Sequence, residues 1–217
     1  MRAALIPMKE LAQAKMRLAG ELDAAQRAEL ALAMLTDVLV ACTASGCFDV
    51  IAVVSNDSAI FDHVRELGAD PLAEPATISG LNDSLSFGQR YLARTLATDE
   101  IIVLPADIPL ARAEDLRTVV AALAAGDAPR AVLVRSRDNG TNALAMRPPE
   151  AVPMRFGRDS ADAHRAAAEA TGVEVVEIEN PRLAYDIDAP EDLAELPALA
   201  VGAATRGWLE ARSAFSV

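Results

Sequence analysis

The stretch EIIVLPADIPL, residues 100–110, is an unbroken apolar run that ends in a proline and then delivers one carboxylate, Asp107, just ahead of a second proline. A continuous run of this kind reads as a strand buried on both faces, which belongs in a parallel sheet covered by helices. Two similar runs precede it, AALIP (3–7) and DVIAVVS (49–55). Between them, Asp23 and Gln26 have capping-box spacing, and Leu30, Met34, Leu35 and Val38 recur at helical period. A helix over 57–67 closes on Gly68, DPLAE (70–74) reads as a short strand, and 81–97 and 113–125 read as helices. The alternation predicts an α/β protein, a Rossmann-like α/β/α sandwich with a mostly parallel sheet.

After residue 130 the pattern changes. AVLVRS (131–136) and TNALAMRP (141–148) flank the turn-forming cluster RDNG, which predicts a β-excursion with an antiparallel strand. A helix near 160–171, a strand VEVVEI (173–178) and a terminal helix ending in GWLEARSAF (207–215) complete the chain. No repeat or interdomain linker interrupts it, so residues 1–217 are expected to form a single domain.

Composition narrows the function. Hydrophobic residues make up 52% with only 4% aromatic, so the core is aliphatic. A net charge of -12 disfavours a nucleic-acid partner, because counterion release needs a basic face. Anionic ligands must then meet locally placed cations or a metal. The run LALAMLTDVLVACTA (30–44) carries Asp37 and helical periodicity, which predicts a buried helix and no membrane span. The apolar N-terminal run is too short for a secretion signal, so a cytoplasmic protein is expected. Cys42 and Cys47 lack zinc-site spacing and read as reduced thiols. The apolar C-terminal segment fits either a monomer or a homodimer.

In a doubly wound sheet, ligands bind beyond the carboxyl ends of the strands. After the first strand come Lys9, Lys15 and Arg17, and these lysines are the only two in the chain. Lysine is a compact cation on a flexible stem, suited to a phosphate whose position shifts during reaction. After the second strand come Ser55, Asn56 and Asp57, and after the 100–105 strand comes Asp107, a candidate ligand for a hard cation such as magnesium. Asp107 could instead cap the following helix. YDIDAPEDL (185–193) would put Asp186 and Asp188 on one face if extended, although Asp188 could serve only as a helix cap before Pro190. Glu74, Gly80 and Asn82 lie ahead of the helix at 81, where free N–H groups could meet a base or phosphate, and Asn82 could equally be a plain cap. Thr141, Gly157 and Ser160 combine hydroxyls, a glycine and a helix start, the parts of a small anion nest. His63 and His164 have no ligand-like spacing and read as helix-face or surface residues.

In order, IPMKELAQAKMRLA, VVSND, SGLNDSL, VLPADIPL, NGTNAL, RFGRDSADAH and DIDAPEDL resemble the guanylyltransferase family that activates a small phosphorylated acid in the biosynthesis of the deazaflavin coenzyme F-420. The resemblance implies the fold of nucleotide-diphospho-sugar transferases. It also implies a magnesium-dependent union of GTP with 2-phospho-L-lactate, phosphoenolpyruvate or 3-phosphoglycerate, releasing pyrophosphate. By that resemblance Thr141, Gly157 and Ser160 hold the phosphoacid, and Asp107 with Asp188, and Asp186 beside it, hold the metal. Lys9 and Lys15 meet the GTP phosphates and with Asp107 carry catalysis. Arg17, Ser55 and Glu74 complete the nucleotide site, and the loop through Gly80 and Asn82 lies near the base. The G-x-G-T-R signature of sugar nucleotidyltransferases is missing after the first strand, which places the phosphate grip on side chains and metal. The competing readings are a sugar or molybdopterin nucleotidyltransferase, and a catalytically idle nucleotide-binding protein of the same fold.

Overall fold

β1 (Arg2–Pro7) and β4 (Glu100–Val103) lie side by side in parallel, Leu5 opposite Val103, because both are short aliphatic runs that can be buried on two faces. The computed structural model describes residues 1–126 and 128–214. Beyond β1, the chain forms α1 (Ala24–Ser45), β2 (Val50–Ser55), α2 (Ser58–Glu66), β3 (Asp70–Ala73) and α3 (Leu81–Thr95) before β4. Then come α4 (Ala113–Ala124), β5 (Arg130–Arg135), β6 (Thr141–Arg147), α5 (Ser160–Ala170), β7 (Glu174–Glu177), α6 (Pro190–Glu195) and α7 (Ala203–Ala214). The strands form one seven-stranded sheet in the order β3-β2-β1-β4-β6-β5-β7. β6 runs antiparallel to both its neighbours, as the RDNG turn predicts; the other pairings are parallel. Phe215, expected at the end of the last helix, lies outside the described residues.

Alternate strand residues feed opposite faces. Ala4 and Ile6 pack with Leu35 and Val38 of α1 and Leu116 of α4, while Ala3 and Leu5 pack with Leu85 and Leu92 of α3 and Ala161 of α5. α1 is long and apolar enough to cross a membrane by length alone, but Leu30, Met34, Leu35 and Val38 are fully buried inside the fold. Its start is the predicted capping box: Gln26 N–H donates to Asp23 at 2.9 Å and Asp23 N–H to the Gln26 amide oxygen at 3.0 Å. Cys42 and Cys47 are free thiols, and burial pushes Cys42 up to about 12.

The chain steps outward from β1 through β2 to β3, then returns to place β4 on the other side of β1. That reversal is the switch point where a doubly wound sheet opens a crevice. A third, smaller apolar cluster lies beside the two main ones and contains Leu18, Leu22, Leu30, Met34, Leu110, Ile187, Leu196 and Val201. Its members come from the segment after β1, from α1, from the loop after β4 and from the stretch around α6, so burying them draws those loops together.

α7 is tied to α1 by a buried carboxylate. Asp37 accepts from the N–H groups of Ala204 at 2.9 Å and Thr205 at 3.0 Å, and Gly202 lets the chain pass because a Cβ there would stand 2.2 Å from Asp37 Cγ. Asp37→Ala is expected to lower stability by roughly 1–3 kcal/mol, since two N–H donors at the helix start lose their partner. Denaturant melts of the variant should show a lower midpoint with an unchanged slope.

Candidate active site

Leu18, Leu110 and Ile187 pack in that third cluster, and each is a close sequence neighbour of a charged residue. Burying the three apolar side chains therefore brings Lys15 and Arg17, Asp107, and Asp186 and Asp188 to the carboxyl edge at the switch between β1 and β4. Lys15 sits in the left-handed region at φ 49°, a conformation that costs a side-chain-bearing residue roughly 1–2 kcal/mol. Its side chain is 8% exposed. The ammonium donates to the Asp107 carboxylate and to the Ile187 carbonyl, and lies 3.8 Å from Asp188. Arg17 donates to the other oxygen of Asp188. A buried ammonium is tolerated only with such partners, so Lys15 is anchored here and is not the mobile cation expected of it.

The two capping alternatives are resolved by neighbours. The N–H of Ala189, at the start of α6, donates to Asp192 at 2.8 Å, as does Asp188 N–H at 2.9 Å, with Pro190 in the first turn. Asp188 is thereby released from the cap. At α4 the same service comes from Asp115, which accepts from Arg112 N–H at 2.9 Å, so Asp107 is free as well. The 186–188 segment is not a strand. Ile187 N–H donates to the Asp107 carbonyl at 3.0 Å, while Asp186 accepts from Asn142 at 3.1 Å. Burial, and then the nearby charge of Asp107, raises the Asp186 carboxyl above the usual range.

Beside this cluster lies a cavity of about 390 Å³ lined by Lys9, Gln13, Asn56, Glu74, Ser79 and Gly80, among others. Of the residues expected to hold nucleotide, it gathers Lys9, Glu74 and Gly80. Asn56 donates to Glu74 Oε1 at 3.1 Å, and Glu74 Oε2 is buried with no partner among the described residues. Gly80 precedes α3 at φ 92°, a turn that disfavours a side chain, and a Cβ there would meet nothing within 4 Å. Asn82 is not the cap of α3. It clamps the backbone of Phe156, donating to the carbonyl at 2.9 Å and accepting from the N–H at 2.7 Å. Ser55 is buried and accepts from Asp57 N–H at 3.2 Å, which leaves it outside the cavity lining.

On the far side of the Asn82 clamp, Ser160 donates to the Thr141 hydroxyl at 3.1 Å, both buried, while Gly157 between them in sequence is exposed at φ 134°. His164, expected on a helix face or at the surface, lies on α5, 1% exposed and bonded to Thr141 at 3.0 Å. Burial, and then the positive charge of Arg155, push its imidazole down to about 4. The residues that sequence reasoning passed over, Asn142, His164 and the exposed Arg155 and Arg158, carry no spacing signal. Only the hairpin β5–β6 and the start of α5 bring them near Thr141. Among the described residues neither Arg155 nor Arg158 has an ion-pair partner, whereas Arg135, Arg137, Arg165 and Arg182 are all paired.

Comparison with known proteins fits this geometry. The profile of a family described as "Guanylyl transferase CofC like" matches residues 1–217. The chain is similar to the phosphoenolpyruvate guanylyltransferase of Rubrobacter xylanophilus, with 42% identity over 198 residues, 90% of this chain and 93% of that one. It is similar to the enzyme of the same name from Sphaerobacter thermophilus, at 37% identity over 193 residues, 89% and 91% of the two chains. In fold alone it resembles a nucleotidyl transferase from Methanothermobacter, with TM-score 0.66 and 14% identity over 97% of this chain and 99% of that one. It likewise resembles a CMP:2-keto-3-deoxy-manno-octonic acid synthetase complexed with CTP, with TM-score 0.63 and 13% identity over 98% and 99%. The sandwich is thus of the nucleotidyltransferase type.

A histidine buried neutral makes stability depend on pH. The unfolded chain takes up a proton near pH 6.5 and the folded one near 4, so the contribution is complete above 6.5 and is lost as pH falls toward 4. Between pH 7 and 4 the wild type should lose about 3 kcal/mol more stability than His164→Phe. Denaturation at a series of pH values checks this; parallel curves would place the histidine in solvent.

Proposed function

Because the chain belongs to the CofC-like family of guanylyl transferases, we propose that it joins GTP to phosphoenolpyruvate, releasing pyrophosphate. The protein is a guanylyltransferase of coenzyme F-420 biosynthesis. The acceptor, the residue roles and the metal are the proposal. So is the setting: one domain, in the cytoplasm, as a monomer or homodimer, with no nucleic acid or membrane as partner. The observation that carries this reading is the 390 Å³ cavity at the sheet's carboxyl edge, with the cation Lys9 and the carboxylate of Glu74 among its lining residues, one oxygen of that carboxylate having no partner among the described residues. Guanine presents two adjacent donors, N1–H and the 2-amino group, and a carboxylate accepts both. The cavity is also of a size usual for a small-molecule site.

In the reaction, an oxygen of the acceptor's phosphate attacks the α-phosphorus of GTP. A new P–O bond forms in line with the departing bridging oxygen, whose bond pair leaves with pyrophosphate. The nucleophile is already ionised near neutral pH, so no base is needed and the barrier is mainly the approach of two anions. Lys9 and Lys15 oppose that repulsion. The anchored Lys15 does so as a charge fixed at the switch point, which requires no reorganisation during the step. Arg17, paired to Asp188 at the exposed rim, extends the cationic edge. Thr141, Gly157 and Ser160 hold the acceptor.

Magnesium fits the carboxylates present. Asp107 and Asp188 converge on one ammonium, so their oxygens can converge on a small cation. Among the described residues no three His, Cys, Asp or Glu side chains form a ready-made cage. Magnesium commonly takes one or two carboxylates and completes its shell with phosphate oxygens and water. Asp107 and Asp188 would hold it, with Asp186 adjacent, and when bound it supplies charge neutralisation and orientation of the triphosphate.

Purified protein supplied with magnesium, each of GTP, CTP and ATP, and each of the three phosphoacids or a sugar phosphate should release pyrophosphate chiefly from GTP with phosphoenolpyruvate. Release only from CTP with a sugar phosphate, or none at all, would contradict the reading. Lys15→Arg should cut turnover at least tenfold, because a longer planar fork cannot occupy the same buried contacts. It should also lower the melting temperature, since the side chain is enclosed. A variant with wild-type turnover would remove Lys15 from catalysis.

A further inference from the structure

We infer that His164 is a positioning residue for the phosphoacid: its neutral ring orients the Thr141 hydroxyl and holds the Arg155–Gly157 loop, so that both present donors to the acceptor. The inference rests on the assignment of Thr141 and its neighbours to the acceptor. His164 lies on the second turn of α5, buried, with Phe156 edge-on to its ring at a centroid distance of 4.8 Å. Arg155 N–H donates to Nε2 at 3.0 Å, so that nitrogen carries no proton. The neutral imidazole must then be protonated on Nδ1, which is 3.0 Å from Thr141 Oγ1 and donates to it.

Thr141 Oγ1 also accepts from the Ser160 hydroxyl at 3.1 Å. Both of its lone pairs are occupied, which leaves its own proton available to donate. A threonine that could rotate freely would offer an anion lone pairs as readily as a proton. Fixed in this way it can only donate, which favours a phosphate or carboxylate oxygen. The same ring governs the loop, because the Arg155 N–H it accepts is followed at once by the Phe156 backbone that Asn82 clamps at 2.9 and 2.7 Å. Loop residues 155–158 are thus held from β6 and α5 through His164 and from α3 through Asn82. They carry Arg155 and Arg158, two exposed guanidinium groups that have no ion-pair partner among the described residues.

The tautomer is tested without turnover. In nitrogen NMR of labelled protein at pH 7, His164 should be neutral with its proton on Nδ1; a proton on Nε2 or a charged ring overturns the inference. Kinetics test the role. His164→Phe should raise KM for the phosphoacid at least tenfold while KM for GTP and kcat stay within about twofold. His164→Asn, whose amide N–H can stand in for Nδ1–H, should recover the part of the loss that runs through Thr141. On a Thr141→Val background, His164→Phe should cost clearly less than it does in the wild type, since one of the two groups it holds is gone and only the loop contact remains to be lost. Equal rises in both Michaelis constants, no recovery by Asn, or multiplicative losses with Thr141→Val would each overturn it. A wild type with the Nδ1–H tautomer that does not use phosphoenolpyruvate would overturn the acceptor assignment itself, a result distinct from a failure of His164.

Discussion

A buried ammonium needs partners on every open side, and the partners of Lys15 come from the middle of the chain and from its C-terminal part. Asp107 follows β4, and Ile187 and Asp188 precede α6, 172 residues from Lys15 in the case of the Ile187 carbonyl. Removing either carboxylate would leave charge uncompensated in a poorly solvated place, so the ion cluster and the apolar cluster of Leu18, Leu110 and Ile187 require each other. The left-handed backbone at Lys15 is the local consequence. The chain accepts an unfavourable turn because it aims the side chain inward, where the surroundings over-determine it.

From that point the candidate site extends in two directions. Toward α3 lies the cavity with Lys9, Glu74 and Gly80; toward α5 lie Thr141, Ser160 and the loop around Gly157. Asn82 joins the two by holding Phe156. In a chain of net charge -12, many arginines are paired with carboxylates, whereas the exposed Arg155 and Arg158 of the 155–158 loop have no ion-pair partner among the described residues. Such an arrangement draws an anionic substrate to one edge and repels it elsewhere.

Local signals read well from the sequence. The Asp23–Gln26 cap, the aliphatic strands and the antiparallel turn at RDNG each depend on residues a few positions apart, and the structure contains all of them. Lys9, Lys15 and Asp107 can be placed near one edge from the sequence because they follow strands whose ends converge, whereas Asp188 reads from its alternation with apolar neighbours in a segment that is not a strand. The burial of Lys15 was not legible, since it depends on three apolar residues from separate loops. Ser55 follows its strand as the others do, yet its side chain satisfies Asp57 N–H inside the fold. The burial of His164, read as a helix-face or surface residue, was not legible because its partners, Thr141 and the Arg155 backbone, stand at no helical or strand spacing from it. Asp188 could be freed from a capping role only by seeing Asp192 reach back to the N–H of Ala189.

The central claim is that Lys15 and Asp107 act as one unit in receiving the nucleotide. A double-mutant cycle of Lys15→Met and Asp107→Asn, read as GTP affinity by calorimetry with magnesium and no acceptor acid, tests it most directly. The account predicts non-additive losses with a coupling energy on the order of 1–3 kcal/mol, the double variant binding GTP no worse than the weaker single one. Independent, additive losses would show that the two groups meet the nucleotide separately, and would contradict the account.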